Sequence, residues 1–272
     1  MSSTSPSPNI AGPSGEPVNG GPGVGAAPAP LWVDALGDSG ALLGSVRVSH
    51  GEHPEAALAR AGWAAIDVLA AGLGPSLGIV LRYAARHLPA ASAFASGAPG
   101  AADHVVARPG SARPLAVDRD LVLAPGEHPV RVQRVAAYAL VRSTRGVLLT
   151  QLSARTNAAG LWTLPGGGLE PGEDPVAGLR REVHEETGQS LTVGSLLGIV
   201  DGHWVGRAPT GRAEDFHAVR LLYLADCPEP TDPIVHEIDG TTAAAAWVPP
   251  ATVPGLRLSP TWRAVLTDWL VG

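Results

Sequence analysis

The chain has no lysine: all nineteen of its basic residues are arginine, in 272 residues. That excludes lysine-based covalent chemistry and a P-loop, whose lysine holds phosphates. Cysteine is nearly absent too. Cys227 stands alone, so there can be no intrachain disulfide and no multi-cysteine zinc site, which fits a reducing cytoplasm. Long apolar runs are also missing. The most apolar window, 64–81, is interrupted by Asp67 and by the breakers Gly72, Gly74, Pro75 and Gly78. A membrane span needs about 20 cleaner residues. The window reads as a buried helix followed by a strand, and no membrane partner is expected. Positive charge is in deficit. A net charge of −6 opposes binding to a nucleic-acid backbone, which requires a basic face. It leaves room for a small phosphorylated ligand carried on metal ions.

Glycine and proline are abundant instead, at 34 and 26, in keeping with a GC-rich coding bias. Residues 1–30 are mostly Ser, Pro and Gly with one charge, Glu16. Such a stretch buries too little surface to offset its ordering entropy and reads as a disordered tail. It carries no basic n-region or apolar h-region of a secretory signal. Residues 31–88 are patterned: LWVDAL and ALLGSVRV read as strands, Pro54–Leu69 as a helix and Leu77–Tyr83 as a strand. Residues 89–114 read as a linker. From Val130 the pattern strengthens, with strand-like VRVQRVAAYALVRS, VLLTQLS, LTVGSLLGIV, AVRLLYLADC and AAAAWVP. The organisation expected is a tail (1–30), an accessory unit (31–125) and a catalytic domain (126–272). The fold class expected is α+β.

Asp174-Pro175 is an N-cap followed by proline at the first helical position, and Gly188 is a C-cap. Between them, Val176, Leu179 and Val183 form one apolar stripe. Glu182, Glu185 and Glu186 share another face, at i, i+3 and i+4. Like charges so spaced repel by a few tenths of a kcal/mol per pair. A solvated acidic face is one reading; a divalent metal site, built from hard carboxylate oxygens, is the other.

The preceding residues favour the metal. Gly167 is followed after five residues by Glu173. Seven more lead to Arg181-Glu182-Val183-His184-Glu185-Glu186-Thr187-Gly188. This resembles the box of the Nudix hydrolases, with every fixed letter present. Gln189 departs from it, at a packing position where the pattern wants an aliphatic residue. The resemblance covers about 130–272 and implies an α/β/α sandwich there. It implies that Glu182 and Glu186 are the principal metal ligands and that Glu185 binds metal or acts as general base. The Gly166 carbonyl would add a metal oxygen, and Glu173 and Arg181 would form a structural pair. The implied cofactor is Mg²⁺, with Mn²⁺ as its substitute. The implied reaction is attack of water on a pyrophosphate linkage of a nucleoside diphosphate-X, with (deoxy)nucleoside triphosphates, oxidised ones included, as the leading substrates. A nucleotide sensor without turnover is the alternative. Arg155 is a candidate phosphate contact, and Glu237 or Asp239 a further acid. Trp204 and Phe216 either stack on a base or, as the favoured reading, pack in the core. The partner expected is a small nucleotide.

One phrase is written nearly twice. GEHPEAALAR starts at Gly51 and GEDPVAGLRR at Gly172, an offset of 172 − 51 = 121, with six of ten letters shared. Subtracting 121 maps Glu173 to Glu52, Arg181 to Arg60, and the three glutamates to Ala61, Ala64 and Ala65. Gly78-Ile79-Val80 echoes Gly198-Ile199-Val200 at offset 120. Residues 31–125 are then a degenerate Nudix-like half that lacks the metal face. Against this, GEHP occurs a third time, at 126–129. An accessory or dimerisation segment is the alternative, and it makes a homodimer a candidate assembly.

Overall fold

A computed structural model of the chain describes residues 30–88, 115–156, 158–208, 210–236 and 240–271. The expected tail, apart from Pro30, and the expected linker lie outside the described residues. The N-terminal part is a four-stranded sheet built from β1 (Leu31–Leu36), β2 (Leu42–Arg47), β3 (Trp63–Leu73) and β4 (Ile79–His87), in the order β2-β1-β4-β3. A short helix, α1 (Pro54–Arg60), joins β2 to β3. An eight-stranded sheet follows, of which six strands run in the order β12-β7-β6-β11-β10-β5. These are β5 (Ala116–Val117), β6 (Val130–Ser143), β7 (Gly146–Leu152), β10 (Thr192–Arg207), β11 (Ala213–Asp226) and β12 (Thr242–Val248). Two short strands branch off: β8 (Trp162–Thr163) pairs with β7, and β9 (Gly166–Gly168) with β6. Helix α2 (Pro175–Thr187) leads into β10, and α3 (Pro260–Val271) closes the chain.

The architecture is mixed α/β with strands dominant. Two cores flank the large sheet. One face carries Tyr138, Leu140, Leu149 and Leu222 against Trp262 and Leu266 of α3. The other carries Ala137, Leu148, Val219 and Leu221 against Leu179 and Val183 of α2. That second core is continuous with Leu31, Val33, Leu58, Leu81 and Tyr83 of the N-terminal part. Period-2 alternation along β6 and β11 sends successive side chains to opposite cores.

The N-terminal helix is shorter than its sequence suggests. It ends at Arg60, and Gly62 follows at φ +92°. Trp63–Leu73, read as the second half of a helix, is β3. Alanine tolerates either state, so Trp63, Ile66 and Val68 and the pairing with β4 decide. Ala61 is therefore the helix cap, and Ala64 and Ala65 are strand residues. This half lacks the helical turns on which a metal face would sit, rather than presenting them with alanines. The Gly78–Val80 echo also fails. Ile79 and Val80 lie on β4, while 198–200 lie on β10.

The β-registers show a different correspondence. Arg47, Trp32, Val80 and Gly72 occupy one row across the small sheet. Gly168, Ala136, Arg220 and Val200 occupy one row across the large sheet. In both rows the second and third strands run parallel, and the outer two pair antiparallel to them. Counting along those strands brings Leu81 onto Leu221 and Tyr83 onto Tyr223.

Candidate active site

Helix α2 starts and ends where the sequence marks it. The Asp174 carboxylate accepts from the amides of Val176 and Ala177, at 3.0 and 3.3 Å. Gly188 is left-handed at φ +69° and donates its amide to the His184 carbonyl. The turn before the helix is equally determined. Gly172, at φ +76°, lets Glu173 fold back and accept from the Glu170 amide at 2.9 Å. Arg181 then reaches from the helix and donates to both Glu173 oxygens, at 2.8 and 2.9 Å, and to the Gly168 carbonyl at 3.3 Å. Its guanidinium holds the Glu173 carboxyl below the ordinary carboxylate range.

Glu182, Glu185 and Glu186 share the helix face turned toward β9. Glu186 is buried. One of its oxygens accepts from the Gly166 amide at 2.9 Å and the other from the Thr242 hydroxyl at 2.6 Å. Glu182 accepts from Arg181 at 3.0 Å. Burial pushes its carboxyl above the ordinary range, with the Glu185 charge adding to this, while Arg181 and Arg134 pull it down. Glu185 is the most open of the three and meets Arg181 at 3.2 Å. Gly167 packs against Glu182: a Cβ there would lie 2.5 Å from the carboxylate carbon. The glycine run is thus a strand against which Glu182 packs. Three carboxylates crowded on one face offer the hard oxygen donors that Mg²⁺ takes.

Beside β9 lies a cleft lined by Arg134, Tyr138, Gly168, Phe216 and Arg220. Gly168 lets the Arg134 guanidinium lie against the strand; a Cβ there would make it swing aside. Phe216 stacks on Trp204 with ring centroids 4.6 Å apart. Phe216 is buried, as the favoured core reading has it, and it also lines the cleft. Arg134 and Arg220 were not singled out in the sequence. The one signal was an arginine within each apolar strand; which face it served depended on register.

Arg155 is exposed in the turn after β7, and its amide donates to the Ser153 hydroxyl. Glu237 and Asp239 lie outside the described residues. The described chain up to His236 is tied to the box helix, the His236 amide donating to the Glu185 carbonyl at 2.8 Å. Gln189, the departure from the box, is buried and satisfied. It donates to the Thr187 carbonyl and the Thr231 hydroxyl and accepts from the Thr231 amide. It therefore pins a loop where an aliphatic residue would only pack.

A sequence model of the NUDIX domain matches residues 132–270. The chain is 33% identical over 132 residues to the human 8-oxo-dGDP phosphatase NUDT18, covering 46% of this chain and 36% of that protein. It thus spans about a third of that relative's length. Against the nucleoside triphosphatase NudI of Salmonella schwarzengrund (strain CVM19633) the identity is 31% over 121 residues, covering 43% of this chain and 83% of the relative. Among solved structures, a MutT NUDIX hydrolase from Burkholderia pseudomallei aligns with 30% identity and a TM-score of 0.41, covering 50% of this chain and 98% of that one. With the NUDIX match spanning half of its length, the chain belongs to the Nudix hydrolase family.

Proposed function

We propose that the protein hydrolyses a pyrophosphate linkage of a nucleoside diphosphate-X in the presence of Mg²⁺, with (deoxy)nucleoside triphosphates, oxidised ones included, as preferred substrates. The observation that carries this is the adjacency of two features: three carboxylates on one face of α2, and a cleft holding Arg134 and Arg220 beside the same β9. Anion-binding arginines next to cation-binding carboxylates suit a polyphosphate neutralised from both sides. The relatives named for 8-oxo-dGDP and for nucleoside triphosphates support the substrate class.

Each residue then has a role. Glu182 and Glu186 hold the ion, with the Gly166 carbonyl as a further oxygen. When bound, Mg²⁺ neutralises charge on the phosphate oxygens and lowers the pKa of the attacking water. Glu186 has both oxygens anchored by hydrogen bonds, which suits a fixed ligand. Glu185 is more open and takes the proton as water attacks phosphorus and the bridging P–O bond breaks. Arg134 and Arg220 hold phosphate oxygens, and Arg155 extends that contact at the rim. Phe216, backed by Trp204, offers a face to the base. Glu173 and Arg181 keep loop and helix together.

The catalytic domain in this reading is 126–272, and 31–125 is a degenerate Nudix-like half. The test is phosphate or nucleotide release from a panel of dNTPs, 8-oxo-dGTP, 8-oxo-dGDP and ADP-ribose with Mg²⁺. Turnover fastest on a triphosphate supports the reading. Tight, saturable binding without turnover favours the sensor instead.

A further inference from the structure

A cluster of imidazoles and carboxylates lies away from the box, where the two halves meet. His203 and His217 are cross-strand partners on β10 and β11, and Asp215 lies two residues before His217, on the same face. Phe216, on the opposite face, lines the nucleotide cleft. The sheet thus separates this cluster from that cleft. The N-terminal half closes it with His50, from the turn ahead of α1.

The geometry is convergent. A single Asp215 oxygen contacts His50 Nε2 at 3.0 Å and His203 Nε2 at 2.5 Å. The ligand atoms of the three residues all lie within 4.8 Å of one another. In tetrahedral coordination with bonds of 2.0–2.2 Å, ligand atoms sit about 3.3 Å apart, so small rotations suffice. His217 lies beside this trio, outside its 4.8 Å grouping, and adds an independent observation. It is fully buried, and its Nε2 has no hydrogen-bond partner among the described residues. Its Nδ1 faces Gln133 at 3.4 Å, and its ring lies 5.8 Å from that of His50 and 5.9 Å from that of His203. A buried polar atom without a partner costs about 1–3 kcal/mol, so this one calls for an occupant. Gly51 completes the fit. Left-handed at φ +75°, it abuts the His203 ring, where a Cβ would lie 2.5 Å from ring atoms.

We propose that His50, His203, His217 and Asp215 form a binding site for a divalent transition-metal ion, Zn²⁺ by its donor set, that fastens the N-terminal half to the β10–β11 hairpin. Three imidazole nitrogens and one carboxylate match zinc chemistry. They differ from the all-oxygen set of the box, so the two sites select different ions. The ion bridges chain segments more than 150 residues apart, from His50 to the hairpin. It leaves no open face toward the nucleotide cleft, and its role is structural.

The test uses the full chain, stripped with a chelator, in an E182Q/E186Q background that removes the box ligands. Zn²⁺ is added, excess is removed by gel filtration, and metal per chain is measured. One equivalent is expected, unaffected by excess Mg²⁺, with a rise in Tm. Co²⁺ in its place is expected to show the visible absorption of a four-coordinate site. Adding His203→Ala or, separately, His50→Ala should weaken Zn²⁺ binding at least tenfold, since loss of an outer-shell partner alone costs about 10–100-fold. Circular dichroism reports folding. If His203→Ala does not fold, His50→Ala on the turn decides alone. Failure of the stripped parent to retain zinc, or unchanged retention in a folded His50→Ala chain, overturns the proposal. Because the box is disabled throughout, neither outcome bears on the pyrophosphohydrolase reading.

Discussion

Arg60 grips Glu52 with two hydrogen bonds, Nε to Oε1 at 2.8 Å and Nη2 to Oε2 at 2.9 Å. Arg181 grips Glu173 with the same atoms at the same distances. The likeness extends outward. Arg60 also donates to the Arg47 carbonyl, as Arg181 does to Gly168, and the Ser49 amide donates to Glu52, as Glu170 does to Glu173. The structural pair is therefore complete in the half without the glutamates.

The two clamps predict different phenotypes. Arg60→Ala should cost at most about 1 kcal/mol, because the pair is partly exposed, and should leave turnover unchanged. Arg181→Ala should impair turnover as well, since Arg181 also contacts Glu182 and Glu185. Hydrogen bonding to Arg60 lowers the Glu52 pKa. A lowered carboxyl contributes stability above its unfolded value and loses it as pH falls through the folded value. The stability gap between wild type and Arg60→Ala should thus be constant near neutrality and close in acid. Denaturant melts at pH 7 and about pH 3 measure it. A gap that widens in acid contradicts the assignment.

The third GEHP explains why a short phrase misleads. Gly126 is left-handed at φ +80°, Glu127 accepts from the Ala124 amide at 2.9 Å, and Arg207 clamps both carboxylate oxygens. Gly-Glu-x-Pro therefore encodes a turn: a left-handed glycine and a carboxylate folded back three residues. What the 51–60 and 172–181 stretches share beyond that turn is the arginine eight residues after the glutamate, and each adjoins a similar row of paired strands. The arginine is legible in sequence; the row is not, because its counterparts sit at different offsets on each strand. The box helix was legible because Asp174, Pro175 and Gly188 mark its ends by local chemistry. The alanine-rich 61–71 carried no such mark, and pairing with β4 made it a strand. The imidazole cluster could not be read in advance, with His50 and Asp215 lying 165 residues apart.

Glu186→Gln should nearly abolish turnover while leaving the fold intact. Gln retains an acceptor for the Gly166 amide and a polar group for Thr242, but loses the charge proposed to hold the ion. The comparison is initial rate at saturating Mg²⁺ against the circular dichroism spectrum. Wild-type turnover in the variant would remove Glu186 from its proposed role.

Gly167→Ala should raise the Mg²⁺ concentration needed for half-maximal rate. The new Cβ would meet the Glu182 carboxylate head-on, and that carboxylate has to move off the shared face. Thermal stability should change less than metal dependence. A Mg²⁺ titration matching that of wild type would show that Glu182 is not held by this contact.

Cutting the chain to 126–272 should leave the sequence of the box intact and still fail to give a well-behaved enzyme. Leu31, Val33, Leu58, Leu81 and Tyr83 are all buried in the core that also holds Leu179 and Val183 of the box helix. At about 1.5–3 kcal/mol per large apolar side chain, their removal is comparable to the whole stability of a domain, about 5–15 kcal/mol. The fragment should bind a hydrophobic dye, melt at lower denaturant and lose turnover in step with that loss. A monomeric fragment with wild-type stability and rate would mean that the N-terminal half rests on the catalytic domain without supporting it.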